Sequence, residues 1–133
     1  MAESLPTCGW QRPATVRWWG ANKEGGMSAS SVMVVFVTCP SVSVGRRLSR
    51  LVIQQRLAAC VNLIPRVEST FRWKRKIEHC AETLLVIKTS QRRFAALRTI
   101  LLRHHPYDVP EIIGWRLANG HAPYVKWVLS NSQ

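Results

Sequence analysis

The sequence predicts an α+β domain of order βαββαβ with an added C-terminal helix, and three observations predict it. From Val32 onward, segments rich in β-branched and aromatic residues alternate with segments whose apolar residues recur at helical spacing. Two strand-like segments are joined only by Lys74 and Arg75, so they form a hairpin. A helical pattern separates each of the other successive strands, which makes those connections crossovers. Right-handed crossovers place both helices over the same face of one sheet. This is the ferredoxin-like arrangement.

Each element has its own signal. Val32 to Cys39 is a continuous β-branched run closed by Pro40, as a buried strand requires. Val44, Leu48, Leu51 and Val52 follow at i, i+4, i+7 and i+8, one apolar stripe of a helix over Ser43 to Arg56, with Arg46, Arg47 and Arg50 on its outer side. Ala58 to Ile64 is a second apolar run. Pro65 then puts a bend or bulge in it, and Val67, Ser69, Phe71 and Trp73 continue at period two. Lys76 to Thr89 returns as a third strand. Ser90 stands where a helix cap is needed, Phe94, Leu97, Ile100 and Leu101 recur at helical spacing, and Pro106 ends that helix. Val109 to Leu117 is the fourth strand, and Asn119-Gly120 turns the chain. Pro123 opens a short last helix with Tyr124, Trp127 and Val128 on its apolar side.

Residues 1–30 show neither period. They carry Pro6, Pro13, four glycines and three tryptophans, and they are expected to form a flexible extension before a domain spanning 31–133. Arg12 and Arg17 leave organelle targeting open, and Glu3 and Glu24 argue against it. The net charge is +12, so the exterior is expected to be basic and solvated. No apolar run approaches the roughly 20 residues of a membrane-spanning helix. Cys8, Cys39, Cys60 and Cys80 are widely spaced with no C-x-x-C pair, which points to free thiols in a reducing compartment, the cytoplasm.

The hairpin is too long for its domain. Each arm has roughly 14 residues, or on the order of 45 Å, against a radius of gyration of about 13 Å for 100 residues. It therefore bends back or projects, and its far part carries Phe71, Trp73 and Ile77. The second face of the sheet has no helix assigned to it. Apolar strand edges recruit further chains, so several copies are expected to cover each other in a closed cyclic oligomer.

Several segments resemble the CutA family of divalent-cation tolerance proteins. Val34-Val35-Phe36-Val37-Thr38-Cys39-Pro40 is similar to the family's first strand, and Arg56-Leu57-Ala58-Ala59-Cys60-Val61-Asn62-Leu63-Ile64-Pro65 to its second. Phe71-Arg72-Trp73-Lys74, Leu85-Val86-Ile87-Lys88-Thr89, His105-Pro106-Tyr107-Asp108-Val109-Pro110-Glu111 and Tyr124-Val125-Lys126-Trp127-Val128 continue the likeness over about residues 33–130. The resemblance implies a PII-like homotrimer, an association with tolerance to copper and other divalent cations, and no firm enzymatic activity. Three positions depart from the family pattern: Arg75 where Gly is usual in the turn, His79 and Cys80 where acidic residues are common, and Arg116 where Pro is usual.

The candidate metal ligands are Cys39, Cys60 and His105, since thiolates suit Cu(I) and imidazole suits Cu(II). His79, Cys80 and His104 complete the pool of soft side chains, and no pair in it has a standard zinc spacing. If Val61 and Leu63 pack under the helices, Cys60 faces the open side, where it and Cys39 of an adjacent strand would hold copper or another divalent cation between subunits. The alternative is a buried, inert thiol. A small-ligand cleft between subunits is expected from Tyr107, Asp108 and Glu111, with Trp73 and Lys88 beside them. Here the alternative is structural: Pro106 stops the helix and Asp108 organises the turn. The chain has no G-x-S-x-G, H-E-x-x-H or Gly-rich phosphate loop, so no enzyme is expected.

Two further readings compete with a trimeric metal-response protein. One is a basic nucleic-acid module, which the Val-rich first strand opposes because it lacks the basic and aromatic pattern of sheet-face RNA binders. The other is a PII-like sensor of a small ligand, by fold analogy alone.

Overall fold

The computed structural model describes residues 28–133. The expected extension therefore lies, up to residue 27, outside the described residues. A 3₁₀ turn at Ala29–Ser31 leads into β1, Val32–Cys39. Then come α1 (Val42–Gln54), β2 (Cys60–Trp73), β3 (Lys76–Ser90), a second 3₁₀ turn (Gln91–Arg93), α2 (Phe94–His104), β4 (Ile112–Arg116) and α3 (Ala122–Ser130). The sheet order is β2-β3-β1-β4, with every neighbouring pair antiparallel. This is the ferredoxin-like topology.

Alternation divides the sheet into two faces. Val35, Val37 and Cys39 of β1 and Leu85 and Ile87 of β3 lie on one of them, packed with Leu48 and Val52 of α1 and Leu97 and Leu101 of α2. Val61 and Leu63 of β2 pack against the same cluster. Both helices thus cover one face. The approach is close at Gly45, where an added Cβ would sit 3.0 Å from Leu63 and 3.1 Å from Thr83. Ser41 caps α1, its hydroxyl accepting from the Val44 N–H at 3.2 Å.

Three expectations need correcting. Ser90 does not cap the second helix with its side chain; its hydroxyl donates instead to the Ser132 carbonyl at 2.7 Å, tying β3 to the C-terminus. The fourth strand is shorter than the run Val109 to Leu117, because only Ile112–Arg116 lies opposite β1 and Pro110 has no N–H to give. The second face is not wholly without a helix: Val125 and Val128 of α3 bury Val32 at one end of it. Ala29, just ahead of β1, packs against this small cluster.

The hairpin is as long as its sequence demands. β2 and β3 pair from Cys60↔Lys88 out to Trp73↔Lys76, with a bulge between Ile64 and Val67 where Pro65 and Arg66 stand. Arg66 takes φ 59°, the left-handed conformation that lets the extra residue loop out. Lys74 and Arg75 close the tip with φ 50° and 66°, which suits a two-residue turn of the I′ kind.

Candidate functional site

The open face is the first candidate. Direct cross-strand pairing puts Val34 beside Lys88 and Trp115, and Phe36 beside Val86 and Ile113. On the far side of β3, Cys60, Asn62 and Ile64 stand opposite Lys88, Val86 and Leu84. Phe36 and Trp115 stack edge to face at 4.9 Å. Ile113 is nevertheless 54% exposed, Trp115 47% and Ile64 44%. A wide apolar surface is left to water by a single chain, and such patches mark interaction sites.

Cys60 lies on this face, half-buried, as its alternation with Val61 and Leu63 predicts. Its cross-strand neighbour Lys88 donates a hydrogen bond to Asn62 Oδ1. The charge a Cys60 thiolate would carry, together with burial as the larger cause, pushes the Tyr124 hydroxyl above its usual pKa. Cys60 thus has Lys88 as its cross-strand neighbour and lies within electrostatic range of the Tyr124 phenol.

Cys39 is elsewhere. It is on the helix-covered face, fully buried, opposite Thr83 rather than near Cys60. Its thiol donates weakly to the carbonyls of Ser41 (3.7 Å) and Thr83 (3.6 Å). Burial pushes its pKa up, away from the thiolate that metals need. Cys39 and Cys60 of one subunit therefore do not share a site: β3 runs between their strands, and they point to opposite faces.

His105 has its ring nitrogens in use. Nε2 donates to the Thr38 carbonyl at 2.8 Å, and Nδ1 accepts the Tyr107 N–H at 3.1 Å. The ring thereby pins the chain after α2 to the end of β1. Tyr107 continues the link, its hydroxyl donating to Glu82 Oε2 of β3 at 2.8 Å. Burial first, and then the Glu82 carboxylate, raise the Tyr107 pKa well above its usual value. Thr38, His105, Tyr107 and Glu82 form one chain of hydrogen bonds across the end of the sheet. Among the described residues, no group of three or more His, Cys, Asp or Glu side chains is placed to hold a metal ion.

The expected cleft residues are spread out in one subunit. Asp108 and Glu111 are exposed beside Tyr107. Trp73, 49% exposed, is at the hairpin tip opposite Lys76. Lys88 is at the other end of β3, about 40 Å away at strand rise. Trp73 and Lys88 meet the 105–111 segment together only if another copy supplies one of them. Sequence reasoning missed the Glu82–Tyr107 pair, because no local period relates positions 25 apart.

The model of the CutA1 divalent ion tolerance protein family matches residues 33–131. The chain belongs to the CutA1 family. The human relative named Protein CutA is 44% identical over 108 residues, which cover 81% of this chain and 60% of that protein. The chain spans 60% of the human and 58% of the mouse relative's length. A solved CutA1 structure from Thermus thermophilus superposes with TM-score 0.75 at 36% identity, covering 77% of this chain and 99% of that one. CutA1 from Oryza sativa gives 0.76 at 37% identity, covering 80% and 98%. The Thermus thermophilus relative, 37% identical over 99 residues, is named Divalent-cation tolerance protein CutA. Plant CutA relatives are named chloroplastic and an Archaeoglobus CutA periplasmic. No helix among the described residues is long and apolar enough to cross a membrane.

Proposed function

We propose that this chain is a non-catalytic divalent-cation tolerance protein that works as a homotrimer and holds copper between subunits. The observation that carries the reading is the unfinished face. Phe36, Ile113, Trp115 and Ile64 form an apolar surface that a single subunit leaves open, and the hairpin tip carries Phe71, Trp73 and Ile77 beyond the core. Neighbouring copies covering both features would explain why such side chains stand there. One subunit does not bring Cys39, Cys60 and His105 together, so a metal site needs ligands from more than one copy. Cys60 is the member of that set on the uncovered face, and it is the soft ligand of this proposal. Trp73 of one copy, reaching the Tyr107, Asp108 and Glu111 segment of the next, would complete a cleft. The free thiols Cys39, Cys60 and Cys80 favour a reducing compartment, the cytoplasm.

Native mass spectrometry with and without copper tests both parts. The expected result is a species of three 15.1 kDa chains that retains copper, with retention lost in Cys60→Ser while the trimer persists. A single-chain species at micromolar concentration would overturn the assembly. Undiminished copper retention in Cys60→Ser would overturn the ligand.

A further inference from the structure

On the side of the molecule opposite the open face, the helical layer carries a groove that none of the preceding readings uses. Its volume is about 510 Å³, and Ser43, Arg46, Arg47, Arg50 and Gln54 of α1 and His104 of α2 line it. The α1 members recur every three or four residues, so they share one face of the helix. Arg46 and Arg50 are separated by about 6 Å along the axis. Three guanidinium groups are thus gathered over little more than one turn.

Among the described residues, neither helix supplies a carboxylate to balance them. Between Glu24 and Glu68, and again between Glu82 and Asp108, the chain has no acidic residue, so α1 and α2 carry none at all. Like charges this close repel, and a folded layer that keeps them accommodates a counter-charge. The end of α2 does not oppose an anion either. Arg47 donates to the His104 carbonyl at 3.4 Å and so covers part of the negative helix terminus. Arginine forks match phosphate oxygens in pairs, and several forks around one groove call for a ligand with several negative charges in a small body. The lining has no Phe, Tyr or Trp, and His104 is the one ring in it on which a base could stack.

We infer that this groove binds a compact polyphosphate, recognised through its phosphate oxygens by Arg46 and Arg50, with Arg47 holding the groove's wall. Inorganic polyphosphate and the triphosphate of a nucleotide share this chemistry. The site faces away from the surface that the trimer would cover, so it is independent of the copper reading.

Calorimetric titration of the metal-stripped full chain with sodium triphosphate tests it. The expected result is saturable binding of one triphosphate per chain, weakened at least tenfold in the Arg46→Gln/Arg50→Gln double variant. Both side chains are exposed, so folding, followed by circular dichroism, is retained. Arg98→Gln, on α2 outside the groove, should leave affinity unchanged. ATP binding as tightly as triphosphate assigns the site to phosphate alone, and ATP binding tenfold tighter assigns it to a nucleotide. Equal weakening by Arg98→Gln, or binding that does not saturate, would reduce the effect to diffuse surface charge and overturn the site. A single-stranded RNA that binds more tightly than triphosphate and ignores the double variant would overturn it too.

Discussion

The two faces of the sheet are built from similar residues and end in different states. On one, Val35, Val37, Leu85 and Ile87 are fully buried under α1 and α2. On the other, Phe36, Val86, Ile113 and Trp115 line up in equally good cross-strand register, and α3 reaches only the end near Val32. The first face is completed by local crossovers and belongs to the stability of one chain. The second is apolar without a cover of its own, and a protein keeps such a surface for a partner. Core and interface are thus separated by one strand thickness, and substitutions a single residue apart should act on different equilibria.

The largest effect is expected on the covered face. Leu97 is fully buried between α2 and the sheet, and Leu97→Ala should destabilise the fold by about 2–5 kcal/mol, from lost transfer energy plus the cavity left behind. Denaturant unfolding of the assembled protein measures this. The open face should behave otherwise. Ile113→Lys places a charge on a half-exposed strand position. If the proposed trimer forms through this face, the substitution should convert it to single chains in sedimentation while the circular dichroism spectrum is kept. If Ile113→Lys unfolds the chain as Leu97→Ala does, the two faces are not separable and the comparison fails.

Much of this division is legible in the residues. Period two in β1 and β3, the helical stripe of α1 and the Pro65 bulge all follow from local spacing, because alternation and 3.6-residue recurrence are local properties. The hairpin length also follows, since it is a count of residues. What the chain does not display is which distant groups meet. Cys39 and Cys60 both look like strand thiols, yet opposite parity around the intervening β3 sends them to opposite faces. His105 reads as a ligand by type, but its nitrogens go to Thr38 and Tyr107. Ser90 reads as a cap, and tertiary contact with Ser132 claims its hydroxyl. Each of these depends on pairing across long sequence separations, which no window reports.

A third, intermediate effect concerns the hydrogen-bonded chain at the end of the sheet. Tyr107→Phe removes the donor to Glu82, a nearly buried carboxylate, and should cost about 1–3 kcal/mol. The pH dependence has a definite sign. The folded state holds the Tyr107 pKa above the usual 10.0, so the neutral phenol is favoured by folding. Its contribution is complete below that ordinary value and is lost as pH climbs above it toward the raised one. Wild-type stability should therefore fall with alkalinity more steeply than that of Tyr107→Phe. Parallel curves would mean that Tyr107 titrates alike in folded and unfolded chains.

The smallest effect is at the hairpin tip, farthest from both faces. Arg75 holds φ 66° and Lys74 φ 50°, a region that side chains with a Cβ adopt at a cost and that glycine adopts freely. Arg75→Gly relieves that strain and should stabilise the hairpin by about 1 kcal/mol, less the entropy that glycine regains in the unfolded chain. Because the turn residue touches neither sheet face, subunit association should not change. A stabilised Arg75→Gly with unaltered assembly would place the turn strain wholly within one subunit. Weakened assembly would mean that Arg75 itself, and not only the nearby Trp73, contacts a neighbouring copy.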